Sequence, residues 1–158
     1  KDHIEGLNSH CKVSTLKNKS WEMNFNEYSS DMIFDCSDNF RTKYSLNEAC
    51  VNNNVPFCNA SVSDSDGQIA LFENRVDSHC CYNCLFPENG DIDANDCAES
   101  GVLGPTVSLV ASLQALMGLK YLLNKFNDTE TIFRVSSKKI SIEKNKILSN
   151  SSCRLNKL

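Results

Sequence analysis

Glycine is scarce in this chain, and no two of its six glycines form a G-x-G pair. That absence excludes the glycine-rich turn whose backbone N–H groups cradle a nucleotide's phosphates at a helix N-terminus. No internal repeat is visible. No block of like charge is long enough to make a disordered tail, even in the Lys- and Asn-rich stretches VNNN and KKISIEKNK. Basic excess is missing as well: the formal charge is −4, which argues against nucleic-acid binding and leaves a protein or a small molecule as the expected partner.

What is present fits one domain with a real core, since the 158 residues are 41% hydrophobic and 23% charged. The nine cysteines are odd in number, the first residues show no signal-peptide pattern, and CCYNC (Cys80 to Cys84) is a tight cluster. Together these favour reduced thiols and metal binding over a disulfide framework, and hence a cytoplasmic protein. Four glycosylation sequons start at Asn18, Asn59, Asn127 and Asn150, but a chain rich in Asn and Ser makes them by chance.

Periodicity predicts an α/β chain that turns antiparallel. CKVSTL (11–16) reads as a weak strand and MIFDC (32–36) as a strong one, followed by a helix over Phe40 to Val51. PFCNASV and GQIALF read as strands on either side of the turn-like DSDG, and IFRV and KKISIEKNKIL as a closing hairpin with a Lys-rich solvated face. Residues 80–104 have little periodicity, as expected of a long functional loop. From Gly104, GPTVSLVASLQALMGLKYLL predicts a helix with Pro105 at its first turn. It is nearly long enough to span a membrane, but Gln114 and Lys120 interrupt it. Ser108, Ala111, Ser112, Ala115 and Gly118 form a face of small residues, so the reading is a buried core helix and no membrane contact.

Three local patterns carry chemistry. In FDCSDNFRTKYSLN, Asp35 and Asp38 sit where a strand gives way to a helix, the place where open α/β sheets bind ligands. On local grounds alone Asp38 reads first as the helix N-cap, with Asn39 beside it, the role that a lone Asp at such a junction more often has. Cys81 and Cys84 have the spacing of half a tetrahedral Zn²⁺ site. Cys97 lies in the long loop next to Glu99, whose charge would raise a thiol's pKa and keep it passive.

Taken in order, DCSDNFRTKYSLNEAC, CYNCLFPE and DCAESGVLGPTVSLVASLQALMGLKYLL resemble the ThiF/MoeB/HesA adenylyltransferases, relatives of the ubiquitin-activating enzymes, from about Leu7 to Cys153. The resemblance implies the C-terminal portion of a Rossmann-like ThiF fold, with parallel strands continuing into antiparallel ones. On that expectation the 158 residues are a partial domain lacking the N-terminal ATP-binding βαβ half, and residues 80–104 are a crossover loop. The implied reaction joins the C-terminal carboxylate of a ubiquitin-like sulfur carrier to AMP from ATP. Asp38 would hold Mg²⁺, and Cys97 would accept the activated carrier or pass sulfur. Lys43 would stand on the nucleotide side of the site, where the family usually has Arg; Lys keeps the charge but loses the bidentate fork. The resemblance also implies Zn²⁺ on Cys81, Cys84 and Cys153, with Asn156 in the place of a fourth cysteine, and a homodimer once complete. The alternative is a non-catalytic subunit or decayed fragment that keeps the carrier-docking fold without ATP chemistry.

Overall fold

The computed structural model describes residues 1–75, 80–88 and 101–155. A short helix α1 (Asp2–Leu7) leads into an extended stretch with two 3₁₀ turns, Ser20–Glu22 and Phe25–Glu27. There follow β1 (Ile33–Asp35), α2 (Phe40–Asn53), β2 (Phe57–Ser63), β3 (Asp66–Phe72), the single-turn α3 (Tyr82–Leu85), α4 (Gly104–Leu122), β4 (Thr131–Ser136) and β5 (Ser141–Lys146). The five strands form one sheet in sequence order, with β1 and β2 parallel and every later pair antiparallel. The chain thus has the mixed architecture expected from its sequence. The segment over 11–16 is not a strand: only Val13 is half-buried there, so it has no apolar face to dock and pairs with no described strand.

The sheet carries helices on both faces, and strand alternation divides the core accordingly. Phe57, Ala70, Phe72 and Ile132 point to one side, where they meet Tyr44, Cys50 and Val51 of α2 and the aromatic ring of Tyr82. Cys58, Ile69, Leu71 and Val135 point to the other, where Val110, Met117 and Tyr121 of α4 cover them. α4 comes very close to the strands. A Cβ on Gly67 would run into Val110, and one on Gly118 into the ring of Phe34, so both positions require glycine.

α4 is a core helix on one face only. Thr106, Val110, Gln114, Met117, Gly118 and Tyr121 are buried, while Val107, Leu109, Leu116, Leu119, Leu122 and Leu123 are exposed. A single sheet can cover only one side of a helix that is apolar all round. The small residues Ser108, Ala111, Ser112 and Ala115 also fall on the exposed side, which leaves Gly118 as the close-packing member of that set. No described helix is long and apolar enough to cross a membrane.

Gln114, the residue that breaks the apolar run, bolts α4 to the sheet. Its Nε2 donates to the carbonyls of Asp35 and Cys58, both at 2.9 Å. Gln114→Leu removes both bonds and leaves those buried carbonyls short of a partner, so we expect a loss of about 1–3 kcal/mol in urea unfolding.

Candidate active site and metal centre

The turn from β1 into α2 assigns its two carboxylates opposite tasks. Asp35 is fully buried, and both of its oxygens are engaged. Oδ1 accepts from the Ser37 backbone N–H at 2.9 Å and the Ser37 hydroxyl at 2.6 Å; Oδ2 accepts from Asn59 Nδ2 at 2.6 Å and Lys43 Nζ at 2.7 Å. Lys43 is buried too, and its ammonium donates further to the carbonyls of Ser37 and Ala60, at 2.8 and 3.3 Å. The structure therefore directs Lys43 inward, onto Asp35, and spends all three of its donors there. The pair ties together the end of β1, the turn, α2 and β2.

Asp38 is exposed and does not cap α2. That task falls to Asn39, whose Oδ1 accepts from Thr42 N at 2.8 Å, while Asn39 Nδ2 lies 3.4 Å from Asp38 Oδ1. The N-cap reading of Asp38 is thus corrected by one residue. Its carboxylate is exposed, three residues past the end of β1, and has no role in closing the helix. One carboxylate with room for water and phosphate oxygens suits Mg²⁺, which keeps several waters and binds through one or two carboxylates. Asp35, saturated by four donors, does not fit that role. Nearby, the Arg41 guanidinium rests on the Trp21 ring, 4.3 Å from its centroid. A polar groove of about 460 Å³ opens on the α2 side of the sheet at the same end of β2, lined by Ser61, Ser63, Gln68, Arg134, Lys139 and Glu143 among others.

The cysteine cluster lies beside the middle of α2, where Tyr44 and Asn47 meet the single-turn α3. Residues 80–104 are not loop throughout, because Cys81 and Cys84 close the single turn of α3. The structure brings Cys153 to them: Cys81 Sγ lies 3.9 Å from Cys84 Sγ and 3.7 Å from Cys153 Sγ. Zn–S bonds of about 2.3 Å at tetrahedral angles place sulfurs about 3.8 Å apart, so the three thiols fit a Zn²⁺ ion. Cys80 turns its thiol to the Leu148 carbonyl at 3.5 Å and is not part of this trio. Hydrogen bonds from Cys80 and Cys81 hold the Cys84 thiol far below its usual range, while those same bonds, with burial, push Cys80 and Cys81 up. Burial pushes Cys50 and Cys58 up to about 12, so both are inert thiols of the core.

Cys97, Glu99 and Asn156 lie outside the described residues. Sequence reasoning named Asp38 and, by resemblance, grouped Cys153 with Cys81 and Cys84, which the structure brings together, but it missed Asn59 and Gln114 as the buried partners that fix β1. Their signal was faint: a polar residue inside an apolar strand or helix.

Comparison with known proteins bears on the family and the fold. The chain is 36% identical over 124 residues to the adenylyltransferase and sulfurtransferase MOCS3 of Dictyostelium discoideum, a match covering 77% of this chain and 29% of that protein. It is 41% identical over 91 residues to MOCS3 of Caenorhabditis briggsae, covering 57% of this chain and 22% of the relative. The matches thus span about a quarter of these relatives' length. Among solved structures, E. coli MccB with ATP superposes with a TM-score of 0.76 at 19% identity, covering 98% of this chain and 48% of that one. MccB in complex with N-formylated MccA gives 0.76 at 16% identity, covering 96% and 49%. These structures share the fold: the five-stranded sheet, parallel and then antiparallel, is theirs. The ThiF family profile matches residues 1–155, nearly the whole sequence: the chain belongs to the ThiF family.

Proposed function

We propose that this chain forms the acid-bearing half of an adenylyltransferase acting on the C-terminal carboxylate of a ubiquitin-like sulfur carrier. One observation carries the reading: Asp38 presents an exposed carboxylate just past the end of β1, with Asn39 capping the helix in its place and the Asp35–Lys43 pair anchoring the turn. In the reaction a carrier carboxylate oxygen bonds to the α-phosphorus of ATP, and the bond to pyrophosphate breaks, its electron pair leaving with pyrophosphate. Asp38 would hold Mg²⁺, which would neutralise charge on the phosphates. Lys43 supports the nucleotide side through the turn it holds. Cys97, in the proposed crossover loop 80–104, would then attack the carrier's acyl carbon through its thiolate sulfur, forming a thioester as the acyl–phosphate bond breaks and AMP leaves. Cys81, Cys84 and Cys153 would hold structural Zn²⁺. The assembled protein would be a cytoplasmic homodimer, and the polar groove beside β2 suits an extended carrier tail.

The absent glycine turn shapes the test. Without a G-x-G pair the chain has no backbone cradle for a triphosphate, and Asp38 on its own repels one. Calorimetric titration of these 158 residues with Mg²⁺-ATP should show no binding at millimolar ligand, a limit of about −4 kcal/mol. Adding a polypeptide that bears the glycine turn should restore binding and carrier-dependent pyrophosphate exchange. Micromolar ATP binding by the chain alone would overturn this division of labour. Binding without exchange in the complemented protein would favour a carrier-docking subunit that performs no ATP chemistry.

A further inference from the structure

A four-residue helix cannot hold its own shape, because nucleation costs more than its few hydrogen bonds return. α3 is such a helix, yet it sets the spacing of Cys81 and Cys84. Cys81, at its N-cap, makes no side-chain capping bond. The cap comes instead from Asn47, a fully buried residue of α2 one turn beyond Lys43 on the same inward face. Asn47 Oδ1 accepts from the Tyr82 backbone N–H at 3.0 Å, and Asn47 Nδ2 donates to Asn83 Oδ1 at 2.9 Å. The Tyr82 ring is held in turn by edge contact with Tyr44 at 5.5 Å and by Phe86 at 5.0 Å. The two residues between the paired cysteines are thus fixed from outside their own helix.

We propose that Asn47 is a positioning residue of the metal centre, holding Cys81 and Cys84 at metal-binding spacing before an ion arrives. The inference rests on reading Cys81, Cys84 and Cys153 as a Zn²⁺ site. A ligand pair already at a tetrahedral edge spares the metal the cost of ordering the turn. Because Lys43 and Asn47 share one helix face, the same rigid α2 also joins the metal centre to the turn that carries Asp38.

The test uses the full chain, titrated with Co²⁺ and with Zn²⁺ against a competing chelator. Asn47→Leu should weaken both metals by about 10–100-fold, the usual effect of losing an outer-shell partner, and should alter the thiolate-to-cobalt charge-transfer bands. Ile69→Ala, in the α4 half of the core, is the control: it lowers stability but should leave metal affinity and the cobalt spectrum as in the parent. If Asn47→Leu does not fold, Asn83→Ala removes one of the two clamp bonds and should give a smaller loss in the same direction. Parent-like affinity in either folded variant, or an equal loss in Ile69→Ala, would overturn the positioning role and leave the zinc reading intact. Failure of the parent chain to bind either metal would overturn the zinc reading itself.

Discussion

Lys43→Met should destabilise the chain by about 3–5 kcal/mol, the usual cost of leaving a buried charge without its partner. Asp35 is fully buried and Lys43 nearly so, at 2.7 Å, and the substitution strands the Asp35 carboxylate while depriving the Ser37 and Ala60 carbonyls of a donor. The pair's own contribution is smaller than the penalty for breaking it, because burying two charges costs much of what their attraction returns. A second substitution, Asp35→Asn, should therefore recover most of the loss in the Lys43→Met background, since the amide oxygen still accepts from Ser37 and no charge is left to solvate. Lys43→Arg keeps the charge and should cost far less than Met. Urea unfolding of the four proteins decides the matter. A Lys43→Met loss below about 1 kcal/mol would place the pair among solvent-screened ion pairs.

This ion pair also marks where sequence reading stopped. Phe40–Asn53 and the β2–β3 hairpin were legible because their apolar periodicity is local, and the structure returns them within two residues of the expected bounds. The closing hairpin was legible for the same reason. The segment at 11–16 was not, because strand alternation signals a strand only where a neighbour exists to pair with it. α4 showed its apolar character in sequence but not which side would be covered, since its hydrophobic residues run all round. At the site, Cys81 and Cys84 could be paired from spacing and Cys153 from resemblance. The inward turn of Lys43 depended on a carboxylate eight residues away and on the carbonyls of Ser37 in the turn and Ala60 in β2, which no local pattern encodes. The same holds for Asn47, whose partners are 35 and 36 residues distant.

Asp38→Ala should lower carrier-dependent ATP–pyrophosphate exchange by about 10²–10³-fold in the complemented protein, the usual effect of removing one group that stabilises charge in the transition state. Stability should change by less than about 0.5 kcal/mol, because Asp38 is exposed and Asn39 makes the capping bond. The contrast with Asn39→Ala makes the test specific. That substitution removes the cap and should cost about 0.5–2 kcal/mol of stability while retaining most of the exchange. If the two neighbours trade places, with Asn39→Ala the inactive variant and Asp38→Ala the unstable one, the observed cap geometry does not govern this turn in solution. If Asp38→Ala exchanges within a few fold of the parent, its carboxylate is a solvated surface charge. Mg²⁺ must then be held by groups outside the turn between β1 and α2. Asp38→Asn separates the remaining alternatives, since it preserves size and hydrogen bonding and removes only the charge that a divalent cation needs. It should therefore be nearly as inactive as Ala, and raising Mg²⁺ should restore part of the lost rate only if the defect is one of metal binding.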